Sequence, residues 1–222
     1  MNTVTITKTY AAPPFCEREM LRYAGCKAAD DAVQALLNTC IAEVRDKLTY
    51  KVCYCTLPLS LNGDVCDFDA FSLRSKRLAA NLKNCEQVVL FAATIGVEID
   101  RLIAKYGRTS PSKALMFQAI GAERIESLCD TFCADISNEL KTSLRPRFSP
   151  GYGDLPLSAQ EEVFALLNCA KHIGLTLNDS LIMSPSKSVT AFIGLSCDNK
   201  PIEQSSPCNI CDKQNCAFRG AL

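Results

Sequence analysis

The stretch that most restricts this fold begins at Ser110-Pro111, where a capping residue followed by proline in the first turn is a strong helix start. Beyond it Leu115, Met116, Ala119, Ile120, Ile125, Leu128, Cys129, Phe132, Ile136 and Leu140 keep a helical apolar spacing. A helix of that extent is roughly 45 Å long at 1.5 Å per residue. The second constraint is Gln87 to Thr94 (QVVLFAAT), which reads as a strand buried on both faces. Together they leave neither an all-helical nor an all-β chain.

Other segments fit the same mixture. Val33, Leu36, Leu37, Cys40, Ile41, Val44 and Leu48 form the stripe of an amphipathic helix between Ala28 and Leu48, with Asp30 and Asp31 placed to suit the helix dipole. Thr49 to Leu57 (TYKVCYCTL) reads as a strand, Asn62-Gly63 as a turn, and Ser75 to Leu82 as a short helix. Ile95-Gly96 turns into another helix ending near Tyr106-Gly107. Ser158-Ala159-Gln160-Glu161 reads as a capping box opening a helix to about Cys169. Leu181 to Met183 and Val189 to Ser196 read as the two strands of a hairpin. Helices and strands follow no βαβα rhythm, so the expected class is α+β, with a mixed or antiparallel twisted sheet flanked by helices. The expected organisation is an N-terminal α+β extension over 1–105, a core over 106–196 and a cysteine-rich tail over 197–222.

Composition removes several function classes. Lys+Arg and Asp+Glu are both 24, so no charge excess draws the chain to nucleic acid or an anionic membrane. The longest nearly unbroken apolar run, Val88 to Val97, is too short to span a bilayer. The first residues lack a basic region followed by an apolar stretch, which makes the expected location cytoplasmic. His172 is the single histidine, so sites requiring two, such as the HExxH zinc helix, are excluded.

The most informative segment is Arg145 to Pro156 (RPRFSPGYGDLP), with three prolines and two glycines between two helices. Arg147 offers a planar fork of donors suited to a carboxylate or phosphate. Gly151 and Gly153 let a ligand approach the backbone, and Tyr152 between them supplies an aromatic face. A loop with turn duties and an incidental arginine is the bland alternative.

The wider pattern resembles one family. An Arg-x-x-x-Gly-Tyr loop, a capped helix, Lys171-His172-Ile173-Gly174 and a proline-containing hairpin ending in Ser188-Val189 occur in order from about Arg147 to Ser196. This order is similar to that of the reactivation (S-adenosylmethionine-binding) domain of cobalamin-dependent methionine synthase, here in a stand-alone form. Ile120-Gly121-Ala122-Glu123-Arg124 is similar to the helix preceding the loop in that family. The chain departs from the family at Gly153, where proline is usual, at Ser158 for a histidine, at Ser184 for a tryptophan and near Ile202 for a tyrosine.

The resemblance implies that S-adenosylmethionine is bound over the corrin of a partner protein and donates its methyl group once that cobalamin has been oxidised to Co(II). Arg147 would hold the ligand's carboxylate, and Pro150, Gly151, Tyr152 and Gly153 would wall the nucleoside and sulfonium. Glu123, Lys171, His172 and Ser184 would contact the cobalamin or its carrier. No Asp-x-His-x-x-Gly motif is present, so the corrin must come from a methionine synthase or related corrinoid protein. The electron would come from a donor such as flavodoxin or ferredoxin. Methyl transfer from a sulfonium is an in-line displacement needing no general acid or base, which suits a chain with one histidine.

Fourteen cysteines remain to be placed. Cys208-x2-Cys211-x4-Cys216, with Cys197 upstream, has the knuckle spacing of a zinc or iron–sulfur site. Cys40, Cys129 and Cys133 fall on apolar helix faces, and Cys53 and Cys55 share one face of a strand. Glu123, Arg124 and Glu126 read as a solvated helix face with a chance of meeting the partner. Two other readings follow: a metal or iron–sulfur electron-transfer adaptor for corrinoid proteins, and a binding module that has kept the fold and lost the ligand.

Overall fold

In a computed structural model, which describes residues 4–26 and 29–196, the chain opens with β1 (Ile6–Tyr10), α1 (Glu17–Tyr23), α2 (Asp31–Val44) and β2 (Tyr50–Pro58). Three short strands follow, β3 (Ser60–Asn62), β4 (Val65–Asp67) and β5 (Ser72–Arg74), then α3 (Lys76–Asn81), β6 (Cys85–Thr94) and α4 (Glu98–Tyr106). The rest is α5 (Pro111–Leu140), β7 (Ser143–Leu144), α6 (Ala159–Leu167), α7 (Cys169–Ile173), β8 (Thr176–Leu177), β9 (Met183–Ser184) and β10 (Ser188–Ser196).

The apolar β6 is the middle of a five-stranded antiparallel sheet ordered β1-β2-β6-β10-β7. Strand period two separates its side chains into two cores. Val52, Tyr54, Val89, Phe91, Ala93, Ala191 and Ile193 face α1, α2, α4 and α5. Cys53, Cys55, Leu57, Val88, Leu90, Ala92 and Phe192 face α3, α6, α7 and the small β3-β4-β5 sheet. Both faces are covered, which is why β6 carries an almost continuous apolar run. Three strands come from residues before 105 and two from after it, so extension and core share this sheet.

The 30-residue α5 lies across the first face and buries Met116, Phe117, Ile120, Ile125, Leu128, Phe132 and Ile136. Phe132 meets Phe91 at 4.9 Å and the edge of Tyr54 at 5.3 Å between ring centroids. Each such buried large side chain contributes about 1.5–3 kcal/mol. Edge strand β1 is fastened to the far end of α5: Lys8 Nζ donates to Asp135 (2.8 Å) and Glu139 (2.5 Å), and Tyr10 Oη donates to Asp135 (2.7 Å).

Several sequence expectations need correction. Leu181–Met183 and β10 are not a hairpin: Met183–Ser184 pairs with Thr176–Leu177, while β10 pairs with β6 and β7. The long β10 finds its partner in the remote apolar β6, pairing along its whole length from Ser188 to Ser196. Ser158 forms no capping box, since its backbone is already helical and its side chain makes no cap bond. Ser110 likewise caps nothing, although Pro111 does open α5. Glu123 and Arg124 are not on a solvated face; they are 2% and 0% exposed. Cys197, Cys208, Cys211 and Cys216 lie outside the described residues. Among those described, no group of three or more His, Cys, Asp or Glu side chains is arranged to hold a metal, and no helix is long and apolar enough to cross a membrane.

Candidate functional site

The segment after α5 runs along the outer edge of β10. Leu144 is opposite Leu195, the Arg145 amide donates to the Gly194 carbonyl at 2.8 Å, and Phe148 exchanges both backbone bonds with Phe192 at 3.0 and 2.9 Å. This pairing turns neighbouring side chains to opposite sides of the sheet. Phe148 enters the core shared with α6, whereas Arg147 reaches α5.

Arg147 Nη1 donates to Asp130 at 2.6 Å and Nη2 to Glu126 at 2.8 Å, so its fork is held by two carboxylates one helical turn apart. Nη1 also lies 3.8 Å from Cys133 Sγ. Burial opposes the guanidinium's charge, yet the hydrogen-bonded Asp130 and the neighbouring Glu126 carboxylate outweigh it and raise the pKa above the ordinary arginine value. Asp130 is 73% exposed in its side chain, so the Arg147 end of the site opens to solvent. Burial pushes the Cys129 and Cys133 thiols up, with Arg147 working in the opposite direction. Both stay protonated at neutral pH and are weak nucleophiles toward an alkylating ligand.

Beyond Phe148 the chain folds into a tight double turn. The Tyr152 amide donates to the Ser149 carbonyl (3.1 Å), Gly151 to Leu155 (3.0 Å) and Leu155 to Tyr152 (3.1 Å). Gly151 and Gly153 have φ of 82° and 61°, the left-handed region that glycine enters without cost. A Cβ at Gly153 would stand 2.6 Å from Arg77 Cδ, so the loop sits directly on α3. Asp154 completes that anchor, accepting from Ser75 Oγ (2.5 Å) and the amides of Lys76 (2.8 Å) and Arg77 (3.2 Å). These donors, the Ser75 hydroxyl first, lower the Asp154 pKa. Tyr152 packs edge-on to Phe148 at 5.4 Å and remains 42% exposed. Pro150 is buried.

The expected site residues therefore divide. The stretch from Arg147 to Gly153 is a ledge that wraps the outer edge of β10: Arg147 turns to the α5 side, whereas Tyr152, packed on Phe148, and Gly153, against Arg77 of α3, lie toward the opposite face. Lys171 and His172 lie on α7, under the sheet face that also carries Phe148 and α3 and away from Arg147, where His172 Nδ1 shares a 3.1 Å hydrogen bond with Thr7 Oγ1. Ser184 is exposed on β9, and its carbonyl accepts from Thr176 Oγ1 at 3.2 Å. Glu123 is enclosed: it pairs with Arg124 and accepts from the Cys16 amide (3.2 Å) and Ser127 Oγ (2.8 Å). Sequence reasoning missed the Glu126–Asp130–Arg147 cluster. The i, i+4 spacing of two carboxylates on the helix preceding the arginine was the available signal.

An antiparallel sheet covered on both faces, with a ledge at its edge, defines an α+β fold that has a solved counterpart. The fold is similar to that of the MetH reactivation domain, whose crystal structure is bound to AdoHcy, with a TM-score of 0.65 at 14% identity over 90% of this chain and 80% of that one. The family model for the activation domain of vitamin B12 dependent methionine synthase matches residues 78–200. The chain belongs to that family. No curated protein matches it.

Proposed function

We propose that the protein binds S-adenosylmethionine along the Arg147–Gly153 ledge and presents its methyl group to a cobalamin carried by a partner. One observation carries this reading: a partly exposed guanidinium and an exposed tyrosine flank a glycine-bent segment at the outer edge of the sheet, where a ligand that wraps the edge meets both. The charges match the ligand, since Arg147 suits its carboxylate while Glu126 and Asp130 suit its amino group and sulfonium. Asp130, the more exposed partner, is the side chain that gives way to the incoming carboxylate. Pro150, Gly151 and Gly153 keep the backbone low beside the ligand, and the phenol of Tyr152 offers a face for the adenine.

The residues of this ledge fit a substrate that must be positioned rather than protonated. Orientation alone is worth on the order of 7–11 kcal/mol in such reactions. When a partner presents its corrin, the cobalt supplies the electron-rich acceptor for the methyl group, and a flavodoxin- or ferredoxin-type donor supplies the electron. The protonated Cys133 beside Arg147 does not compete for that methyl. Lys171 and Ser184 are exposed and available to the partner, whereas Glu123 serves the interior. The test is reductive remethylation of an oxidised corrinoid methionine synthase lacking this domain. Remethylation should depend on added protein and fall with Arg147→Ala; no stimulation by the native protein contradicts the proposal.

A further inference from the structure

On the sheet face away from Arg147, β1 and β2 pair so that Thr7 lies directly opposite Cys53. Opposed residues of an antiparallel pair point to the same side. Lys8, the next residue, turns to α5, so Thr7 and Cys53 face α7. His172 on α7 hydrogen-bonds Thr7, and Cys169 is three residues earlier, one turn along the same helix side. The helix thus crosses the strand pair with His172 over Thr7 and Cys169 over Cys53. The two cysteines share one apolar cluster and are 0% and 1% exposed.

We propose that Cys53 and Cys169 are a dithiol site that a low-molecular-weight disulfide converts to an intramolecular disulfide, fastening α7 to β2. The Cys169 thiol donates a hydrogen bond to Cys53, lowering the Cys53 pKa against the effect of burial and raising its own. Cys55, two residues along the same strand face, is instead pushed up to about 12 by burial. Cys53 is therefore the attacking sulfur. Access comes through α7, a five-residue helix with left-handed residues at both ends, Asn168 (φ 48°) and Gly174 (φ 70°). An element this short, hinged at each end, opens locally at small cost.

The Cys53 thiolate attacks one sulfur of the small disulfide and releases one small thiol. Cys169 then loses its proton, attacks the Cys53 sulfur of the mixed disulfide and releases the second. Two protein thiols and one small disulfide give one protein disulfide and two small thiols.

The test uses the full chain, incubated natively with oxidised glutathione, blocked with N-ethylmaleimide and digested without reductant for mass spectrometry. The expected result is a Cys53–Cys169 cross-linked peptide pair that dithiothreitol removes. Amide exchange over Ala170–Gly174 should slow at least tenfold in the oxidised form. The cross-link should survive in Cys55→Ser. Recovery of Cys53 and Cys169 as maleimide adducts, cross-links of either to other cysteines, or unchanged exchange in α7 overturns the proposal.

Discussion

Replacing Arg124 with leucine tests how the N-terminal arm is tied to the long helix. The guanidinium is fully enclosed and contacts the Glu123 carboxylate at 2.5 and 2.6 Å. It also donates to the Pro13 carbonyl (2.5 Å) and the Pro14 carbonyl (2.6 Å), and lies 4.1 Å from the Phe15 ring centroid. Leucine fills part of the space but strands the Glu123 carboxylate, leaving Ser127 Oγ and the Cys16 amide as its donors. Breaking a buried pair from one side costs about 3–5 kcal/mol. In a chain of this size each kcal/mol moves Tm by about 2–4 °C, so a fall of about 6–20 °C is expected. Adding Glu123→Leu removes the stranded charge, and the double variant should be more stable than Arg124→Leu alone. Urea unfolding followed by far-UV circular dichroism gives both numbers. A loss below about 1 kcal/mol for the single variant, the scale of a surface pair, refutes the reasoning. So does a double variant that loses the sum of the two single changes.

Three further outcomes follow from the ledge. Gly153→Ala should destabilise by about 1–2 kcal/mol because alanine resists a positive φ and its Cβ must displace the Arg77 side chain; chemical denaturation measures the loss. The Asp154 pKa is lowered in the fold, so its contribution is complete above the unfolded value near 3.8 and disappears as pH falls through the folded value. Wild type should thus exceed Asp154→Asn in stability at pH 6, with the gap beginning to narrow as pH falls below the unfolded value near 3.8; a gap that does not narrow on further acidification contradicts the assigned anchor. Arg147→Lys should recover only part of the ligand affinity lost in Arg147→Ala, because an ammonium lacks the planar fork, as competition binding would show.

Much of the fold was legible because its strongest elements carry their own signal. The Pro111–Leu140 helix and the two-sided strand Cys85–Thr94 advertise burial through periodicity, and Cys53 and Cys55 share one face as the strand period requires. Strand β1 was not legible, since ITKTY has no apolar alternation and is held by Lys8 and Tyr10 reaching acids 125 or more residues away. The hairpin error arose because a local turn looked sufficient, whereas β10 is committed to β6. Arg124 was misplaced because charge suggested solvent. Its position, four residues from both Ile120 and Leu128, put it in the apolar stripe and was the signal to follow. The Arg147 loop stood out by its residue types as a turn-rich break between two helices, but the partners of Arg147, Glu126 and Asp130, depend on how β10 aligns the loop beside α5.

Titration calorimetry of the full chain with S-adenosylmethionine tests ligand binding at the ledge most directly. One site per chain is expected, with an affinity reduced about 10–100-fold by Arg147→Ala, the value of a lost charge-assisted hydrogen bond. Absence of binding by the native protein, or equal binding by the Arg147→Ala variant, would contradict the proposed site.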